Sequence, residues 1–198
     1  MISLILVDPN AALCAAWFQA FEDFPEVSVV NGYFEDLPQF DCMVSAANSF
    51  GLMDGGVDLA IIRHFGKDLE KRIQQHIIDH FYGEQPVGTS FLMPVNNPQG
   101  QYVAHTPTMR VPRSIVGTDH VYKAMKAMLG AVDVHNRTSE KPDVQSVACP
   151  GLGTSIGKMP PKEAARQMAL AYRNFVQPIT AINWQTAQDR DFEIVYGR

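Results

Sequence analysis

Along the chain, short apolar runs alternate with longer stretches whose apolar residues fall at helical spacing. Residues 3–7, 27–30, 42–46, 88–95, 102–105 and 144–149 are short runs of strand type. Residues 11–21 place Leu13, Trp17 and Phe21 four apart and stop ahead of Pro25, which predicts a helix. A second helix is predicted over 57–65, broken near Gly66. A longer one follows, in which Leu69, Ile73, Ile77 and Phe81 form one buried stripe. Residues 119–134 set Ala124, Met128 and Val132 on one helical face. Pro160 and Pro161 open a last long helix over 163–175, since proline suits a first helical turn. GYFEDLPQFD (32–41) and HNRTSEKPD (135–143) are polar and turn-rich and read as loops. FEIVY (192–196) reads as a final edge strand. The alternation predicts a layered α/β fold with helices on both faces of a sheet. No linker-like segment interrupts residues 1–198, which predicts one domain.

Composition changes this picture mainly by exclusion. The chain is 46% hydrophobic and 19% charged, an ordinary globular balance, and 198 residues bury a core without disulfides or a metal. A net charge of −5 argues against wrapping nucleic acid by bulk electrostatics. Cys14, Cys42 and Cys149 contain no CxxC pair, so neither a zinc knuckle nor a disulfide framework is expected. Cys42 and Cys149 sit in apolar runs and read as small buried hydrophobes. The N-terminal run ISLILV meets Asp8 and Pro9 at once, too short for a signal or membrane segment. The expectation is a cytoplasmic protein with no membrane partner. Asn136-Arg137-Thr138 matches a glycosylation sequon and reads as ordinary polar surface.

Candidate chemistry lies where strands hand over to helices, the place at which open α/β sheets bind ligands. Two such junctions are rich in glycine: ANSFGLMDGGVD (47–58) and PGLGTSIGKMPP (150–161). Glycine lets backbone N–H groups approach a ligand, and a helix N-terminus adds partial positive charge. Either loop alone is equally well a tight turn, whereas two suggest an extended anion such as a diphosphate. Known motifs fail on the second loop. Leu152 and Met159 break a Walker A pattern, and Ile156 breaks a dinucleotide fingerprint. Gly153-Thr154-Ser155-Ile156-Gly157 does fit a nucleophile elbow. Yet His64, His76, His80, His105, His120 and His135 all precede Ser155, whereas a hydrolase triad histidine follows its serine. His76 and His80 have metal-ligand spacing but no third ligand close by in sequence, and read as surface histidines. Met109-Arg110 offers a cation near the ligand or an ordinary surface arginine.

These residues resemble the macro domain family. The carriers are Val44-Ser45-Ala46-Ala47-Asn48-Ser49 followed by Gly55-Gly56-Val57-Asp58, with Asp58 ten positions after Asn48, as in MacroD-type hydrolases. The second loop looks like that family's loop across the ADP-ribose diphosphate, and Gly32-Tyr33-Phe34-Glu35 stands at its Gly-Asp-Ile segment. The resemblance covers about residues 31–172. It implies a three-layer α/β/α macro domain with a mixed, mostly parallel central sheet, needing no cofactor or metal. It further implies an ADP-ribose site formed by Tyr33, Phe34, Ala47, Gly55, Gly56, Val57, Gly151, Gly153, Thr154, Ser155, Ile156 and Gly157. Asn48 would meet the distal ribose hydroxyls through its amide. Asp58 would orient ribose or water at C1″, its ionised form favoured by the helix end. The implied activity is hydrolysis of an ADP-ribosyl bond, an ester to an acidic side chain, on an ADP-ribosylated macromolecule. The alternative is a reader that binds ADP-ribose without turnover. Several positions depart from the family pattern: Ser45 for asparagine, Asp54 and Ser155 for glycine, Tyr33 for the aspartate that reads the adenine amine. Asp54 stands near the expected phosphates or caps the helix, and Lys158 is a cation for a phosphate.

Overall fold

Successive side chains of a strand point to opposite faces, and here that alternation divides the core in two. The structure is a computed structural model that describes residues 2–97, 101–140 and 143–197. Strands β1 (Ser3–Asp8), β2 (Val27–Asn31), β3 (Cys42–Ser45), β4 (Phe91–Pro94), β5 (Tyr102–His105) and β6 (Ser146–Cys149) form one sheet in the order β2-β1-β6-β3-β5-β4. Every pairing is parallel except the edge pair β4–β5. Leu4, Leu6, Cys42, Val44, Ala104, Val147 and Cys149 enter one core. Their alternates Val7, Met43, Val103 and Ala148 enter the other.

Helices α1 (Ala11–Ala20), α4 (His120–Thr138) and α5 (Pro161–Val176) cover the first face, burying Trp17, Met125, Met128, Met168 and Tyr172. Helices α2 (Gly56–Phe65) and α3 (Asp68–Phe81) cover the second with Ile61, Leu69, Ile73 and Ile77. The α3 stripe is the one its four-residue spacing predicts, although Phe81 at its end is only half-buried. The three-layer α/β/α architecture with a mixed, mostly parallel sheet is the one expected. Cys42 and Cys149 are fully buried. Burial pushes both thiols up, Cys42 to about 12, which leaves them as inert hydrophobes.

Three expectations are corrected. The last segment is a helix, α6 (Trp184–Tyr196), not an edge strand. A capping box between Asn183 and Thr186 starts it, and Gly197, in the left-handed region at φ 70°, stops it. The β-branched and aromatic content of FEIVY is overridden by these end signals. Likewise the first four residues of HNRTSEKPD belong to the last turn of α4; residues 141 and 142 lie outside the described residues. Asn136 of the sequon is tied to Val144, donating to its carbonyl at 2.8 Å and accepting from its N–H at 3.2 Å. Strands also run shorter than their apolar runs, since β4 starts at Phe91 and β6 at Ser146.

Candidate functional site

The C-terminal ends of β1, β3 and β6 open onto a cavity of about 520 Å³. Its wall contains all fourteen residues that the resemblance assigned to the site: Tyr33, Phe34, Ala47, Asn48, Gly55, Gly56, Val57, Asp58, Gly151, Gly153, Thr154, Ser155, Ile156 and Gly157. Parallel strands pointing the same way gather loops far apart in sequence at one edge of the sheet. A second cavity, of about 460 Å³, lies between α1, α5 and α6. There Arg166 and Arg173 are engaged by Glu163 and Glu193, and none of the strand-end residues takes part.

The first loop leaves β3 and is braced by α3. Glu70 accepts the Met53 N–H at 2.9 Å, and Gln74 donates to the Gly51 carbonyl at 3.1 Å. Gly55 and Gly56 have nothing within 4 Å of where a Cβ would stand, so that stretch faces open cavity. Gly55 caps α2 without any side-chain hydrogen bond, which leaves the first-turn N–H groups free for a ligand. Asp54 therefore does not cap the helix; it is exposed on the cavity wall.

In the second loop, glycine answers a packing demand. A Cβ at Gly153 would come within 2.5 Å of Ile115, and one at Gly157 within 2.3 Å of the Gly153 carbonyl. Asp8, at the end of β1, holds this loop by accepting the Gly151 N–H at 3.1 Å. Among the described residues, the N–H groups of Ser155, Ile156 and Gly157 have no backbone acceptor in hydrogen-bonding geometry.

Asp58 sits in the first turn of α2, as expected, but in a different electrostatic setting. It is buried at 7% exposure. Ser45 Oγ donates to its Oδ1 at 2.7 Å. Among the described residues its Oδ2 has no hydrogen-bond partner. Burial pushes the carboxyl up to about 6, opposed by the Ser45 hydrogen bond and reinforced by Asp54 and Glu70. The helix end expected to favour the ionised form is thus opposed by desolvation.

Asn48 commits most of its amide to its own loop. Its Oδ1 accepts from the N–H groups of Phe50 (3.1 Å) and Leu52 (3.3 Å), and its Nδ2 donates to the Leu52 carbonyl at 2.7 Å. Three of its bonds thus close its own loop, whose N–H groups would otherwise lack acceptors, and one amide hydrogen remains. Tyr33 stands at the mouth, 60% exposed. Phe34 is buried against Phe40 and His64. Met109 lines the cavity, but Arg110 turns away to Glu84 at 2.6 Å. Lys158 is exposed and outside the lining. The lining holds four carboxylates, Asp8, Glu35, Asp54 and Asp58, and no lysine or arginine. An anion here relies on backbone N–H groups.

Asp8, Ser45 and Glu70 were not singled out as site residues by the sequence. Asp8 did carry a signal, a carboxylate directly closing an apolar strand run; Glu70 carried none. His76 and His80 lie with ring centroids 4.2 Å apart, and His76 also packs on Phe91 at 4.0 Å. Among the described residues no group of three metal-ligating side chains exists, and no helix is long and apolar enough to cross a membrane.

Comparison with known proteins agrees with this fold. The family model for the macro domain matches residues 44–168. An uncharacterized protein of Aquifex aeolicus is 33% identical over 150 residues, covering 76% of this chain and 82% of its own. One from Pyrobaculum aerophilum is 28% identical over 172 residues, covering 87% and 85%. Among solved structures, the macrodomain of Mycobacterium tuberculosis DarG superposes with a TM-score of 0.58 at 18% identity, covering 72% of this chain and 88% of that one. The Oceanobacillus iheyensis macrodomain with ADP gives 0.58 at 22%, covering 80% and 82%. With the family model spanning most of the chain and both glycine loops inside the match, the chain belongs to the macro domain family.

Proposed function

We propose that the strand-end cavity binds ADP-ribose and that the protein hydrolyses ADP-ribosyl bonds on a modified macromolecule. The Oceanobacillus iheyensis structures, one with ADP and a glycine-to-valine mutant with ADPR, support the ligand class. The free N–H groups at the start of α2 and in the second loop supply donors for a diphosphate on both sides. The observation that carries the catalytic reading is the free Oδ2 of buried Asp58 in the cavity wall. A carboxyl pushed up to about 6 remains mostly ionised at neutral pH and is basic enough to take a proton from water. As the water oxygen bonds to C1″, Asp58 takes its proton, the C1″–O bond breaks, and the ester oxygen leaves on the target's carboxylate. Asn48 holds the loop and offers its remaining amide hydrogen to the distal ribose.

One observation favours the second reading, a non-catalytic reader: Asn48 is largely committed to its own loop. Two measurements decide. Calorimetry with ADP-ribose, ADP and AMP is expected to rank ADP-ribose first; equal affinities overturn the ligand assignment. Release of ADP-ribose from a glutamate-modified protein is expected to fall ~10²–10⁴-fold in Asp58→Ala with binding within a few fold of wild type. No release by the wild type, with ADP-ribose still bound, leaves the reader.

A further inference from the structure

We infer that Ser45 is the positioning residue of Asp58, tying one carboxylate oxygen to the end of β3 and leaving the other for the cavity. This rests on the reading of Asp58 given above. Ser45 is the last residue of β3 and is wholly buried. Strand alternation puts it on the same face as Met43, the face covered by α2 and α3. Its carbonyl accepts the Thr106 N–H at 3.1 Å, so its backbone is pinned between neighbouring strands. Only its hydroxyl is left to serve Asp58, at 2.7 Å.

A lone carboxylate in this setting has two ways to escape its burial: rotate toward solvent or take up a proton. The charged groups around it encourage both. Asp54 on the first loop and Glu70 on α3 are negative and disfavour its ionised form. Ser45 supplies the opposing interaction, a hydroxyl hydrogen that favours the carboxylate form over the acid. A hydrogen bond of that kind, anchored in the sheet, also fixes the direction of Oδ2. The dyad joins a strand end to a helix start thirteen residues later, and so sets the carboxylate against the rigid part of the fold rather than against the loop.

The test titrates the Asp58 carboxyl carbon by NMR in the ligand-free protein, for wild type, Ser45→Ala and Ser45→Thr. Ser45→Ala is expected to move the midpoint upward by about one pH unit, the size of one charge-assisted hydrogen bond, and Ser45→Thr to return it. Release of ADP-ribose at neutral pH should fall several-fold in Ser45→Ala and recover in Ser45→Thr, with ADP-ribose affinity within a few fold of wild type in both. A purely structural serine would lower stability but leave the midpoint in place, and that result overturns the inference. If Ser45→Ala does not fold, the wild type still decides: the Ser45 Cβ resonance must follow the Asp58 midpoint, and a Cβ shift indifferent to it also overturns the inference. Because the titration needs no ligand, a protein that shows the shift but ignores ADP-ribose loses only the functional reading.

Discussion

Glycine serves opposite needs in the two loops, and the difference is measurable one residue at a time. Gly55 is extended, at φ −151°, with open space beside it. Gly153 has φ +68° and Ile115 within 2.5 Å of a would-be Cβ. Denaturant unfolding should therefore show Gly55→Ala within ~0.5 kcal/mol of wild type and Gly153→Ala destabilised by ~1–3 kcal/mol. Equal losses at the two positions would refute this account of the loops. Composition alone cannot separate these roles, since both loops read as glycine-rich. Asn48 and Asp58 were legible because their spacing is specific. Ser45 was legible only as a departure, since its partner lies thirteen residues away and is brought to it by folding.

At the scale of elements, α6 shows where local reading fails. It buries no residue completely and is held largely by Arg166 of α5. That guanidinium donates to the Glu193 carbonyl at 3.0 Å and the Ile194 carbonyl at 2.9 Å, while Glu163 engages it from the same helix at 2.6 and 2.8 Å. Bonds from a charged donor to carbonyls of the last helical turn are worth about 1.5–3 kcal/mol. Arg166→Ala should therefore strip amide hydrogen-exchange protection from α6 by about tenfold or more, leaving β1, β3 and β6 as protected as before. Unchanged protection in α6 would mean that Ile194, which packs on the core, and the Arg173–Glu193 ion pair hold the helix without Arg166. The strands and α1–α5 were readable from periodicity because each buries a face. A helix that buries little has a weak period, and its end signals carry the information instead.

For the whole molecule, two buried groups of opposite sign shape the acid response. His105 is fully buried, paired through Nδ1 with Gln85 Oε1 at 2.6 Å, and burial lowers its pKa to about 3. The unfolded chain therefore binds the extra proton between about 6.5 and 3, so the stability from neutral His105 is present above 6.5 and lost as pH falls. Asp58 works in reverse. Its folded pKa of about 6 lies above the ordinary 3.8, so the folded state binds the extra proton and this contribution declines as pH rises from 3.8 to 6. Over that window the two slopes oppose each other. Asp58→Asn should unmask His105, steepening the loss of stability on acidification by up to about 1.4 kcal/mol per pH unit. Parallel pH profiles for wild type and variant would show that Asp58 titrates normally in the folded protein.

The layers, the buried stripes and the two glycine loops were legible along the chain, because hydrophobic periodicity and glycine content are local properties. The sequence also carried the family, through the spacing of Asn48, the Gly-Gly pair and Asp58. What those residues face emerges on folding. Parallel strand ends bring Asp8 to Gly151 and Ser45 to Asp58, and they leave the cavity with four carboxylates and no cationic side chain. Burial, which depends on every layer being in place, then raises the Asp58 carboxyl above its ordinary value. Desolvation is a property of the assembled surroundings, and no spacing along the chain encodes it.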